Sequence, residues 1–174
     1  MSRFTLANAV SATRLLLLVP SAYAVTHDAW IAGAALFALA VVTDVSDGII
    51  ARRRGEASAF GGLLDHGSDA LFVTVTLAAL AYRDFVPWLL PPLVISAFTQ
   101  YVLDSRALSG APLRASHVGR WNGIGYYALA GTIVISQALQ LDWPAAALRG
   151  AGWLLVATTL LSMSDRAYAL LRRR

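Results

Sequence analysis

The chain consists of long apolar stretches separated by short polar breaks. Six apolar segments fall at roughly 10–26, 29–52, 62–82, 86–107, 119–140 and 145–171. A membrane-spanning helix needs about 20 predominantly apolar residues, so the first segment is short and the other five are long enough. The pattern predicts an all-α fold, an integral membrane bundle of six transmembrane helices.

The composition agrees with a membrane protein. Hydrophobic residues make up 57% of the 174 residues and charged residues only 14%, against about 25% charged residues in soluble domains. This length predicts a single membrane domain over residues 1–174. The sequence contains no cysteine, which excludes disulfides and thiolate-bound metals. The net charge of +4 favours contact with anionic membrane lipids and argues against a nucleic-acid partner.

The arginines predict an orientation in the membrane. All basic residues are arginine, and in the predicted bundle only Arg83 and Arg149 fall on the side opposite to the rest. Positively charged loops are retained in the cytoplasm. We therefore expect a multi-pass protein of a bacterial inner (plasma) membrane, with both termini and the active site on the cytoplasmic side.

Four aspartates form two pairs, Asp44 with Asp47 and Asp65 with Asp69, in an otherwise apolar part of the chain. Ionisable residues at membrane depth are costly and usually functional. Helix positions three or four apart share a face, so two helices meeting here would bring both carboxylate pairs together. Carboxylate oxygens suit hard divalent cations such as Mg²⁺ or Mn²⁺. The spacing therefore predicts a metal site.

The residues around the aspartates favour a phosphate or pyrophosphate ligand. Gly48 and Gly61 lack side chains, so a ligand or a neighbouring helix can approach the backbone closely. Arg52 offers a planar cationic fork that matches phosphate oxygens. A metal, an arginine and small residues together predict a site for a phosphorylated substrate.

The spacing of these residues resembles the signature of a known family. The pattern D-x2-D-G-x2-A-R-x8-G-x3-D-x3-D is matched by Asp44, Asp47, Gly48, Ala51, Arg52, Gly61, Asp65 and Asp69. With it the chain resembles the CDP-alcohol phosphatidyltransferases, six-helix membrane enzymes that displace CMP from a CDP-linked lipid with an alcohol. A further stretch, N-x2-[ST]-x2-R, is matched by Asn8, Ser11 and Arg14, which the resemblance places beside the polar head of the substrates.

The resemblance implies a role for each matched position. The ligands of two Mg²⁺ or Mn²⁺ ions correspond to Asp44, Asp47, Asp65 and Asp69. The surface that binds CDP and its phosphates corresponds to Asp44, Gly48, Ala51, Arg52 and Gly61. Asp69 also corresponds to the catalytic general base, which takes the proton from the acceptor hydroxyl. The implied partners are a CDP-linked lipid donor such as CDP-diacylglycerol, a small alcohol acceptor and, as often in this family, a second copy of the chain in a homodimer.

The acceptor alcohol stays open at this stage. A phosphorylated acceptor would need converging arginines, and the candidates are Arg106, Arg114 and Arg120. Gly119 and Arg120 resemble a Gly-Lys/Arg pair of members that use glycerol 3-phosphate, but Ala70 stands where those members carry lysine. Inositol phosphate, serine and other alcohols therefore remain alternatives.

His66 lies between the last two aspartates of the signature. An imidazole there could tune Asp65 or Asp69, but we expect an exposed histidine at the end of a loop.

Two other function classes fit part of the pattern. A carboxylate cluster also suits a cation transporter, but all four aspartates lie at one membrane face, with no acidic ladder across the bundle. A non-catalytic scaffold would be expected to lack an aspartate or Arg52, and none is missing. The sequence therefore favours a metal-dependent transferase of phospholipid biosynthesis.

Overall fold

The computed structural model describes residues 5–55, 58–105 and 117–171. Within these ranges the chain forms six α-helices and no strand, which confirms the all-α class. The helices are α1 Leu6–Thr26, α2 Trp30–Arg54, α3 Ala59–Tyr82, α4 Leu90–Asp104, α5 His117–Ala138 and α6 Ala145–Leu171. Arg106 and Arg114 lie outside the described residues.

The first helix is longer than the sequence predicts. It begins at Leu6, because the side chain of Thr5 accepts a hydrogen bond from the backbone N–H of Asn8 and so caps the helix. The prediction of a short first segment starting at residue 10 is wrong for a physical reason. The first turns carry polar residues that an apolar pattern does not include, and these residues face the aspartates.

Four of the described helices, α1, α2, α3 and α6, are long and apolar enough to cross a membrane. The fourth predicted segment, 86–107, is wrong in length, because α4 has only 15 residues and begins at Leu90. Pro91 and Pro92 occupy its first turn, where proline is tolerated. A helix of this length spans about 22 Å, less than the roughly 30 Å hydrocarbon core. Six transmembrane helices thus remain a prediction.

The third helix is the centre of the bundle. It packs against α1, α4 and α5, while α1 also packs against α2, and α5 against α2 and α6. The core contains Phe72, Leu77 and Leu80 of α3, all fully buried, together with Ile133 of α5 and Leu90 of α4. This arrangement brings the amino-terminal half of α3, which carries Asp65 and Asp69, against α1 and α5.

Polar contacts tie the helix ends together on the side of the bundle away from the aspartates. Arg83, which follows α3, forms an ion pair with Asp28 in the connection between α1 and α2. Arg149 of α6 donates a hydrogen bond of 2.6 Å to the backbone carbonyl of Asp84. Asp65 and Arg83 are separated by about 27 Å along the helix axis at 1.5 Å per residue.

Small residues allow α5 to approach α2 closely. A Cβ atom added at Gly131 would lie 2.8 Å from Cε1 of Phe37, which is closer than van der Waals contact permits. Phe37 is only 6% exposed and packs against the ring of Phe72, so its ring has little room to move. Small residues at helix contacts serve the same purpose in other membrane proteins.

We therefore expect Gly131→Ala to destabilise the protein by about 1–3 kcal/mol, as overpacking of a core does. The measurement is the thermal unfolding midpoint of the purified protein in detergent. The matched control is Gly123→Ala on the same helix, where an added Cβ meets nothing within 4 Å of the described residues. Equal midpoints for the two variants would contradict the packing argument.

Candidate active site

One face of α1 is polar and turned toward α2 and α3. Asn8, Ser11 and Arg14 recur at every third position and are 8%, 3% and 0% exposed. The hydroxyl of Ser11 donates a hydrogen bond of 2.7 Å to Oδ2 of Asp47. A Cβ atom added at Gly61 would lie 3.0 Å from Oδ1 of Asn8, so the glycine lets α1 approach the start of α3.

The two aspartate pairs, one on α2 and one on α3, lie together beside α1. Carboxylate oxygens of Asp44, Asp47 and Asp65 all lie within 4.8 Å of one another. Asp69 faces the same cluster one turn further along α3, at the helix spacing that places it on the face of Asp65. The structure therefore brings together the four carboxylates whose convergence the spacing predicts.

The guanidinium of Arg14 lies inside this cluster. Its Nη2 is 2.6 Å from Oδ2 of Asp47 and 3.2 Å from Oδ1 of Asp65. Its Nη1 is 3.4 Å from Oδ1 of Asp44 and forms a close ion pair with Oδ1 of Asp69. Sequence reasoning placed Arg14 beside the substrate only by resemblance and did not predict its contact with all four aspartates.

The charge balance of the cluster favours a bound cation. One guanidinium against four carboxylates leaves an excess of negative charge, which is costly in a partly buried site. The carboxylate oxygens are close enough together to share an ion, and an all-oxygen ligand set suits Mg²⁺ or Mn²⁺. The residues present therefore fit a hard divalent metal.

His66 lies closer to the aspartates than expected. It is part of α3, so the prediction of a loop-end position is wrong, although its side chain is 50% exposed. Its Nδ1 lies 3.4 Å from Oδ2 of Asp65, and its ring stacks on that of Tyr101. Because residues three positions apart share a helix face, His66 also lies on the same side of α3 as Asp69.

A cavity of about 850 Å³ opens beside the aspartates. Its walls come from α2 to α6 and are mostly apolar, while Asp44 and Asp69 line one part of it. Tyr127 of α5 also lines the cavity, and its hydroxyl donates a hydrogen bond of 3.2 Å to Oδ1 of Asp69. Sequence reasoning missed Tyr127, because a tyrosine in an apolar helix has no signal that distinguishes it from a core residue.

Two arginines line the same cavity. One is Arg120, which the sequence predicts as an acceptor ligand, and the other is Arg166 of α6, which sequence reasoning assigned only to membrane orientation. The side chain of Arg166 is 14% exposed, lies 5.2 Å from the ring centre of Tyr101, and is 3.7 Å from Oδ2 of Asp104. An arginine five positions before the end of the last apolar segment is the sequence signal that could have indicated this role.

The predicted CDP-binding residues lie elsewhere. Gly48, Ala51, Arg52 and Gly61 are not among the described residues that line the cavity. Arg52 is exposed, and its guanidinium folds back over Gly48, where an added Cβ would lie 3.3 Å from Nη1. Asp44 is the one predicted CDP-binding residue that also lines the cavity.

Comparison with known proteins identifies relatives. The chain is 31% identical over 110 residues to CDP-diacylglycerol–glycerol-3-phosphate 3-phosphatidyltransferase of Cereibacter sphaeroides, covering 60% of this chain and 50% of that protein. It is 28% identical over 160 residues to CDP-diacylglycerol–glycerol-3-phosphate 3-phosphatidyltransferase 1, chloroplastic/mitochondrial, of Arabidopsis thaliana, covering 81% and 53%. It is 33% identical over 94 residues to human cardiolipin synthase (CMP-forming), covering 53% and 31%.

The chain therefore spans about a third to about half of the length of these relatives. No solved structure matches it. The family model described as CDP-alcohol phosphatidyltransferase matches residues 4–163, which include both aspartate pairs and the polar face of α1. The resemblance carried by the aspartate signature is confirmed, and the chain belongs to the CDP-alcohol phosphatidyltransferase family.

Proposed function

We propose that the chain transfers a phosphatidyl or similar group from a CDP-linked lipid to an alcohol and releases CMP. The observation that carries this proposal is the position of the four aspartates. Their carboxylates converge, and two of them, Asp44 and Asp69, line a cavity whose wall also contains Arg120 and Arg166. A transferase needs this arrangement, because donor and acceptor must meet at one reacting phosphorus.

The CDP end of the donor binds beside the aspartates, at Gly48, Ala51, Arg52 and Gly61. The open backbone at Gly48 and Gly61 admits the nucleotide, and Arg52 binds a phosphate through its planar fork. Arg52 is exposed and can leave its position over Gly48 when the donor enters. The acyl chains remain in the surrounding membrane.

Asp44, Asp47, Asp65 and Asp69 would hold the metal, with two ions as the proposed number. A divalent cation bound there would neutralise charge on the pyrophosphate and on the departing CMP. The ligand role of Asp44, Asp47 and Asp65 is supported by the 4.8 Å grouping of their carboxylate oxygens, and that of Asp69 by its grouping with Asp65 and His66 within the same distance.

Asp69 acts as the general base. It lines the cavity, so an acceptor bound there can present its hydroxyl to the carboxylate. Asp69 takes the hydroxyl proton, and the alcohol oxygen bonds to the lipid-bearing phosphorus. The bond from that phosphorus to the bridging oxygen breaks, and CMP leaves with the bridging oxygen and its electron pair.

The acceptor is of the glycerol phosphate type. Arg120 and Arg166 both line the cavity, and two guanidinium groups suit a phosphorylated alcohol. Two relatives carry glycerol 3-phosphate in their names, which supports the same class. Arg106 and Arg114 remain candidates on sequence grounds alone.

The chain forms one membrane domain with all six helices in the bilayer and the aspartates at its cytoplasmic face. The four apolar helices support membrane insertion. The positive-inside rule supports the orientation, since Arg83 and Arg149 both lie at the end of the bundle away from the aspartates.

The first experiment measures CMP release by the purified protein in detergent with CDP-diacylglycerol and Mg²⁺ or Mn²⁺. Glycerol 3-phosphate, phosphatidylglycerol, inositol 1-phosphate, inositol and serine are supplied one at a time. We expect release with glycerol 3-phosphate and its loss on addition of EDTA. Release with another acceptor would change the acceptor assignment, and no release with any acceptor would contradict the proposed activity for this donor.

Asp69→Asn should lower turnover by at least about a hundredfold, because an amide cannot accept the proton. Binding of the CDP-lipid, measured separately in the absence of any acceptor, should change little. The control is Asp84→Asn, at the other end of the bundle, where asparagine tolerates the positive φ of 61°. An active Asp69→Asn enzyme would exclude Asp69 as the base.

Arg166→Gln should raise the KM for a phosphorylated acceptor about tenfold or more and change kcat little, because it removes a charge-assisted contact made in both ground and transition states. Arg120→Gln should act in the same direction. Arg149→Gln, an arginine at the opposite end of the bundle, is the control. An unchanged KM in both cavity variants would remove the two arginines from the acceptor site.

A further inference from the structure

We infer that Arg14 is a positioning residue that assembles the four aspartates into a ligand set before any metal binds. In this inference Arg14 and the metal share the carboxylates and do not exclude one another. The inference rests on the proposed metal site and adds a role for α1 that the aspartate signature does not contain.

In this inference some carboxylate oxygens bind Arg14 and others bind the metal. Arg14 contacts one oxygen of each aspartate: Oδ1 of Asp44, Oδ2 of Asp47, Oδ1 of Asp65 and Oδ1 of Asp69. Two of these oxygens have a second donor, since Ser11 bonds to Oδ2 of Asp47 and Tyr127 to Oδ1 of Asp69. The other oxygen of Asp65 lies 3.4 Å from Nδ1 of His66. In this inference the metal binds carboxylate oxygens that Arg14 does not contact.

The two terminal nitrogens of Arg14 bridge the two aspartate-bearing helices. Nη1 contacts Asp44 of α2 and Asp69 of α3, and Nη2 contacts Asp47 of α2 and Asp65 of α3. Each nitrogen therefore spans one carboxylate from each helix. A lysine has one nitrogen and the same charge, so it cannot make both bridges at once.

Arg14 is buried, so its positive charge depends on the surrounding carboxylates for compensation. Its side chain is 0% exposed, and its Nε has no hydrogen-bond partner among the described residues. The carboxylates are thus the main compensation for burying its charge, and without it they would repel one another. Removing the guanidinium should separate the aspartates and so weaken the ligand set.

The test is Mn²⁺ binding to the purified protein in detergent, followed by the electron paramagnetic resonance signal of free Mn²⁺. The variants are Arg14→Gln, which removes charge and fork, and Arg14→Lys, which removes only the fork. We expect the Kd for Mn²⁺ to rise about 10- to 100-fold in both, as it does when groups that orient metal ligands are lost. Arg83→Gln breaks an arginine–aspartate pair at the far end of the bundle and should leave the Kd unchanged.

The outcomes separate this inference from the proposed metal site. Wild-type protein that binds no Mn²⁺ would overturn both. Wild-type binding with an equal or lower Kd in a folded Arg14 variant would overturn only the positioning role, since it would mean that the guanidinium is neutral toward the metal or competes with it. A thermal unfolding midpoint recorded without metal shows whether each variant is folded. If Arg14→Gln does not fold, the Kd of Arg14→Lys alone tests the positioning role.

Discussion

The buried guanidinium of Arg14 among four carboxylates is the interaction on which the site depends. Charges inside an apolar bundle must be paired, because the cost of removing them from water is large. Arg14 meets this requirement for four groups at once and is itself fully buried. The consequence is structural as well as electrostatic, since the contact holds α1, α2 and α3 together at one end of the bundle.

The aspartates adjoin two different features of the structure. On one side, Arg52 lies over the bare backbone of Gly48, in an exposed position. On the other side, the mostly apolar cavity carries arginines in its wall. Family membership and this geometry support the same reaction from independent observations.

Close packing of α5 completes the site. Gly131 lets α5 approach Phe37 of α2, and Gly125 lets α6 approach α5 through Leu155. The same helix carries Tyr127, whose hydroxyl donates a hydrogen bond to Asp69. Glycines thus allow the close packing of a helix that also contributes a side chain to the site.

The sequence by itself determined the number of helices and their approximate positions, the pairing of the aspartates on helix faces, and the family. These properties are local: apolar runs form helices, and residues three or four apart share a face. Only the tertiary structure decided the partners of Arg14, the position of Arg166 in the cavity and the contact of Tyr127 with Asp69. Arg14 and Asp69 are 55 residues apart in the chain, and their contact depends on how whole helices pack. No local pattern encodes that distance, because many helix arrangements satisfy the same apolar spacing.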